Sequence, residues 1–155
     1  MSEREMLKTD QIDSILQGDD QRALQALIDD AHEHGDVSIK NRAKIALIEL
    51  KTAKYANEPS LVRQIEYAIA EYEEVLRQKH GRRYSASRTR SMIRQYGYKE
   101  ALSRIVNRGR KTVGFDSLRQ FGLTEYAFEK IVLDHKTEFS NEIIRKATAA
   151  MKSIK

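Results

Sequence analysis

Between Gly81 and Lys111 the chain reads GRRYSASRTRSMIRQYGYKEALSRIVNRGRK, in which ten Lys or Arg stand against a single acid, Glu100. A local excess of this size repels itself, so the charged heads must reach water or be neutralised by an anionic partner. A phosphate backbone is the natural partner. Eight of the ten cations are Arg, whereas residues 1–80 hold six Lys and five Arg. The bias matters because the planar guanidinium fork binds phosphate oxygens bidentately and can also reach guanine O6 and N7. On a helix, Arg90 and Arg94 share one face at i, i+4, and Arg104 and Arg108 share another. Arg88 and Lys99 lie on the same segments, and Arg82, Arg83, Arg110 and Lys111 flank them as candidate backbone clamps. The bland alternative is a solvated face on which Glu100 simply pairs with Arg104.

Three tyrosines lie among these charges. Tyr84 and Tyr98 are candidates to stack on unpaired bases, the way single strands are held without sequence readout. Tyr96 reads instead as a core anchor. His32-Glu33-His34 does not make a metal site on a helix, since i, i+2 side chains diverge by roughly 200°. Asp134-His135 has no nucleophile, glycine-rich phosphate loop or carboxylate cluster beside it, so no catalytic residue, cofactor or enzyme activity is expected.

The elements that must position these groups are helices. Ile12, Ile15 and Leu16, with Met6 and Leu7 before them, fit a first helix ending at Gly18, and Leu24, Leu27, Ile28 and Ala31 fall on one face of a second that stops at Gly35. Ser38 is placed to cap a third helix running to Tyr55, with Ile39, Ala43, Ala46, Leu47 and Leu50 on one side and Ile45 and Ile48 widening the stripe. Asn57-Glu58-Pro59 ends it. From Pro59 to Lys79 a further helix carries Leu61, Val62, Ile65, Ile69, Tyr72, Val75 and Leu76, and the short connection predicts an antiparallel hairpin over residues 38–79.

Beyond His80-Gly81 the helices shorten. Ser85 or Ser87 can cap one that buries Met92, Ile93 and Tyr96 and stops at Gly97; the next, over Lys99–Asn107, buries Ala101, Leu102, Ile105 and Val106 and closes at Gly109. Two short helices about a glycine turn resemble a helix-turn-helix in pattern. Arg94-Gln95-Tyr96-Gly97-Tyr98 is echoed by Arg119-Gln120-Phe121-Gly122-Leu123, each followed by Ile-Val, at 105–106 and 131–132. Thr124 can cap a helix over Glu125–Asp134, with Phe128, Ile131 and Val132 inward. Ser140 can cap a last helix burying Ile143, Ile144, Ala147, Met151 and Ile154.

Composition agrees with an all-α, multi-helix bundle: 155 residues, 33% charged and 40% apolar, with seven Gly and one Pro. Without cysteine there is no disulfide or thiolate zinc site, and a reducing cytoplasm suits the chain. The start, MSEREMLKTD, lacks the apolar stretch of a secretion signal, and Ile45–Ile48 is far too short to cross a bilayer. The net charge of +5 is divided unevenly. Residues 1–80 hold 11 Lys or Arg against 16 Asp or Glu; residues 81–155 hold 17 against 7. The sequence therefore predicts an acidic scaffold or dimerisation region over 1–80 and a basic nucleic-acid-binding region over 81–155, as separate domains or as one continuous domain. The expected partner is DNA before RNA, contacted chiefly at phosphates, with a homodimer through the N-terminal hairpin and no small-molecule ligand or membrane. The rival expectation is an adaptor or inhibitor that docks its basic half on an acidic protein and its 39–50 stripe on a helix.

Overall fold

The computed structural model describes residues 3–108 and 127–152, and these form eight α-helices and two 310 turns with no strand among them. The helices are α1 (Glu3–Gln17), α2 (Gln21–Glu33), α3 (Val37–Thr52), α4 (Ser60–His80), α5 (Ser87–Tyr96), α6 (Tyr98–Arg108), α7 (Ala127–Asp134) and α8 (Asn141–Lys152). The side chains of Met6 and Leu7, the Gly109 stop, the second copy of the repeat at 119–123, the Thr124 cap and Ile154 lie outside the described residues. No described helix is long and apolar enough to cross a membrane.

The chain divides into two compact units, Met1–Lys54 and Tyr55–Lys155. In the first, Leu24, Leu27, Ile28, Ala43 and Leu47 make the core, with Ile12, Ile15, Leu16, Ile39, Ala46 and Leu50 packed around it. The i, i+3, i+4, i+7 spacing on α2 is thus converted directly into burial. Asp20 caps α2 by accepting from the Ala23 amide at 3.2 Å. Gly35 ends it in a left-handed conformation, φ 70°. The Asp36 amide donates to the Ala31 carbonyl and the Gly35 amide to that of His32, the pair of bonds that defines a Schellman stop. Asp36 then caps α3 through the Ile39 amide at 3.1 Å, so the cap falls two residues ahead of the expected Ser38. The turn is compact because one residue closes α2 and opens α3.

The second unit is built on α4. Leu61, Ile65, Ala68 and Ile69 pack with Ala86, Leu102, Val106, Ile131, Val132, Ile143 and Ala147, and Ile93, Phe128, Phe139 and Ile144 line the margin. Gly81, at φ 68°, stops α4, its amide donating to the Arg77 carbonyl. Gly97, at φ 83°, turns the chain between α5 and α6. The Ser140 hydroxyl accepts from the Ile143 amide at 3.3 Å, capping α8 as the sequence predicts.

Two expectations change here. The change of charge sign places a boundary at 80/81, but the units divide at 54/55 because apolar faces, not charge, decide which helices pack together. The second half of the acidic region is therefore the central helix of the unit that carries the arginines. The hairpin predicted over 38–79 spans the two units: Ala43 and Leu47 of α3 belong to the first core, and Leu61, Ile65, Ala68 and Ile69 of α4 to the second.

Candidate nucleic-acid interface

The buried face of α4 is not purely apolar. Glu66, Glu73 and Glu74 are 4%, 8% and 1% exposed. Carboxylates are almost never buried without a partner, because removal from water costs several kcal/mol per charge, on the order of magnitude found in proteins. Each has one. Arg77 grips Glu74 within the same helix, Nε at 3.0 Å from both carboxylate oxygens and Nη2 at 2.7 Å from Oε1. Glu66 and Glu73, two helical turns apart, converge on Arg90 of α5: Nη2 and Nε donate to Glu73 Oε1 and Oε2 at 2.7 and 3.2 Å, and Nη1 to Glu66 Oε2 at 3.3 Å. The Ala86 amide donates to Glu73 Oε2 at 2.9 Å, and the Tyr98 hydroxyl to Glu66 Oε1 at 2.8 Å. One cation and two carboxylates thus tie α4 to the 81–87 loop, to α5 and to α6.

Arg90, which the sequence pairs with Arg94, thus has all three guanidinium nitrogens on acids of α4. Tyr98 packs its ring against the core and commits its hydroxyl to Glu66. Tyr96 moves the other way. It ends α5 at 37% exposure, and the Arg104 guanidinium lies over its ring at 3.8 Å while Arg104 Nε donates to Glu100 at 3.1 Å. The bland reading therefore holds for Arg104, which has a cation–π contact and an acid of its own.

Burial pushes the Glu73 carboxyl up, but the hydrogen bonds from Arg90 and Ala86 and the Arg90 charge outweigh it, and the net shift is below the ordinary value of 4.5. Burial and then the bond to Glu66 raise the Tyr98 hydroxyl, and the two carboxylates beside Arg90 hold its guanidinium protonated more firmly still. For Glu73 the folded value lies below the unfolded one, so its stabilisation is complete above the unfolded pKa and is lost as pH falls through the folded one. Wild-type protein should therefore lose stability progressively below about pH 4.5. Glu73→Gln should be less stable at pH 7 and show a shallower decline toward pH 3, read as urea midpoints across that range. Equal decline in both proteins would remove Glu73 from the acid response.

The remaining cations stand differently. Among the described residues no acid pairs with Arg82, Arg83, Arg88, Arg94, Lys99 or Arg108, while Arg110 and Lys111 lie outside them. Arg82, Arg83 and Arg88 line, with Tyr72, Tyr84, Ser85, Ser87 and Thr89, a recess of about 460 Å³ that no carboxylate among the described residues lines. The Tyr72 hydroxyl is raised by burial, and further by Tyr84, so it adds no negative charge at neutral pH. Ala86, at the N-cap of α5, offers no side-chain acceptor, and the Ser87 amide donates instead to the Ser85 carbonyl at 2.8 Å. Tyr84 is 37% exposed and stacks on His80, ring centroids 5.4 Å apart.

Lys99 and Arg104 line a second cleft of about 650 Å³ between α6 and the start of α8, but Glu100, Glu138 and Glu142 line it too. Its sign is mixed. Lys146 bridges its far side, donating to the Asn107 side chain and, at 3.3 Å, to the Asn107 carbonyl. Arg94 and Arg108 line neither hollow.

The residues that the sequence reading missed are the three α4 glutamates. A signal existed: Glu66 follows Ile65 and Glu73 follows Tyr72 at the same seven-residue interval, which sets both on the edge of the apolar stripe. Their partner lies 24 and 17 residues further on, and no local spacing reports it. In the first unit, His34 Nδ1 sits 2.8 Å from the Asp30 carbonyl and His32 Nδ1 2.9 Å from Lys40 Nζ, two separate local contacts. No group of three or more metal-binding side chains occurs among the described residues. Comparison of the chain with protein-family models, with curated proteins and with solved structures gives no match in any of the three.

Proposed function

We propose that the protein binds nucleic acid, DNA before RNA, through the phosphate backbone, using the cations of the 82–108 segment that have no acid partner among the described residues. The observation that carries this reading is the recess lined by Arg82, Arg83 and Arg88, with no carboxylate in its lining among the described residues. Holding three positive charges together costs Coulomb energy that an incoming polyanion returns, and release of condensed counterions from the duplex adds the main driving force. The three buried acids of α4 are each hydrogen-bonded within the unit, Glu74 by Arg77 and Glu66 and Glu73 by the shared Arg90. In this role α5 and α6 act as a short helical pair that projects Arg88, Arg94 and Arg108, and the protein is an accessory or regulatory factor rather than an enzyme.

The rival, an adaptor or inhibitor that docks its basic half on an acidic protein and its 39–50 stripe on a helix, keeps the first of these supports and finds the stripe largely occupied. Ile39, Ala46, Leu47 and Leu50 are occupied inside the first unit. What remains on α3 for a partner or a second copy is Val37 and Ile45, 65% and 49% exposed. Fluorescence anisotropy with two unrelated 20-base-pair duplexes in about 50 mM salt separates the readings. Binding of both duplexes at micromolar protein or below is expected, weakened at least tenfold when Arg82, Arg83, Arg88 and Arg94 are all replaced by Ala. Failure of the wild-type protein to bind either duplex would sink the proposal.

A further inference from the structure

We infer that the Arg82–Arg83–Arg88 recess is a seat for a terminal phosphomonoester, so that the protein prefers the phosphorylated end of a nucleic-acid strand to its interior; this rests on the nucleic-acid reading above. The argument begins with charge. An internal phosphodiester brings one negative charge and two free oxygens to three guanidiniums, and leaves the recess strongly positive. A monoester brings a charge of about −1.5 to −2 at pH 7 and three strong acceptor oxygens. Three forked donors, with the Thr89 hydroxyl in the same lining, match the second set better than the first; the Ser85 hydroxyl already serves Glu73 and that of Ser87 the Ser85 carbonyl.

The recess is lined by one run of chain, residues 82–89, together with Tyr72, and Arg82, Arg83 and Arg88 are exposed at its surface. That run is fastened at Ala86 to the buried Glu73, which the following Arg90 also grips, so its course is held by the α4 latch. Tyr84, half-exposed in the lining and backed by the His80 ring, is placed to stack on the terminal base once its phosphate is seated.

The test compares one 12-base-pair duplex in three forms, with 5′-phosphate, with 3′-phosphate and with hydroxyl ends, by anisotropy competition in 150 mM salt. At least one phosphorylated form is expected to bind about tenfold more tightly than the hydroxyl form, and whichever end is favoured identifies the strand polarity. The preference should fall to less than twofold in Arg83→Ala/Arg88→Ala, which lie outside the latch and leave the fold intact by circular dichroism. Equal affinity for all three duplexes, with binding retained, would overturn the end seat and leave the general phosphate reading standing. Loss of binding to every form would remove both. If a phosphoserine peptide competed as well as the phosphorylated duplex at equal concentration, the assignment to a nucleic-acid end would be wrong.

Discussion

Arg90→Ala should destabilise the second unit by about 3 kcal/mol, more than replacement of any other cation between residues 82 and 108. The reason is asymmetric. Arg90 is 30% exposed, but the two carboxylates that it serves are 5% and 10% exposed as side chains, and removing the guanidinium strands both in a dry face of α4. Breaking a buried pair by deleting one partner typically costs about 3–5 kcal/mol, and the lower end applies because the open side of Arg90 lets water enter. The Ala86 amide and the Tyr98 hydroxyl would still donate, so the loss falls short of two naked charges. Arg90→Lys should recover less than half of the loss: one ammonium cannot reach Glu66 while gripping Glu73 on both oxygens. Urea unfolding followed by circular dichroism reads the change as a lowered midpoint at constant slope. A midpoint unchanged within error for Arg90→Ala would mean that the acids of α4 are already hydrated, and the latch would be of no consequence.

The helices themselves were largely legible, and the reasons are local. Apolar residues at helical spacing placed α2, α4 and α6, Gly35 and Gly97 marked turns with positive φ, and Ser140 capped α8, because each of these signals acts within about four residues. What could not be read was the assortment of helices into units. The sign of charge changes at residue 81, but the core of the second unit is assembled from Leu61, Leu102, Val132 and Ile143, which are adjacent only once the chain has folded. The interface suffered from the same blindness. Arg90 and Arg94 are equivalent by spacing, and only the position of Glu66 and Glu73 on another helix separates a cation that holds the fold from one that has no acid beside it. Tyr96 and Tyr98 exchanged roles for a related reason. Gly97 reverses the direction in which successive side chains face, so the residue before the turn is left outside and the residue after it reaches α4.

That distinction has a measurable consequence in binding. If each of the six acid-free cations neutralises one phosphate, log Kobs should fall against log salt with a slope of about −5, a loss of roughly a thousandfold between 50 and 200 mM salt. Arg94→Ala should lower the magnitude of that slope by about one while leaving the urea midpoint unchanged. Arg90→Ala, measured where it remains folded, should do the reverse, moving the midpoint and leaving the slope alone. The slope is the proper readout, since loosening the 82–89 loop can weaken affinity at any single salt concentration without changing how many counterions are released. Replacing Arg90 and Arg94 together should then reduce the slope by about one rather than about two, because only one of the two heads is available to a phosphate. A reduction by two would return Arg90 to the interface and require Glu66 and Glu73 to find other partners when nucleic acid binds; no reduction at all would take both arginines out of it.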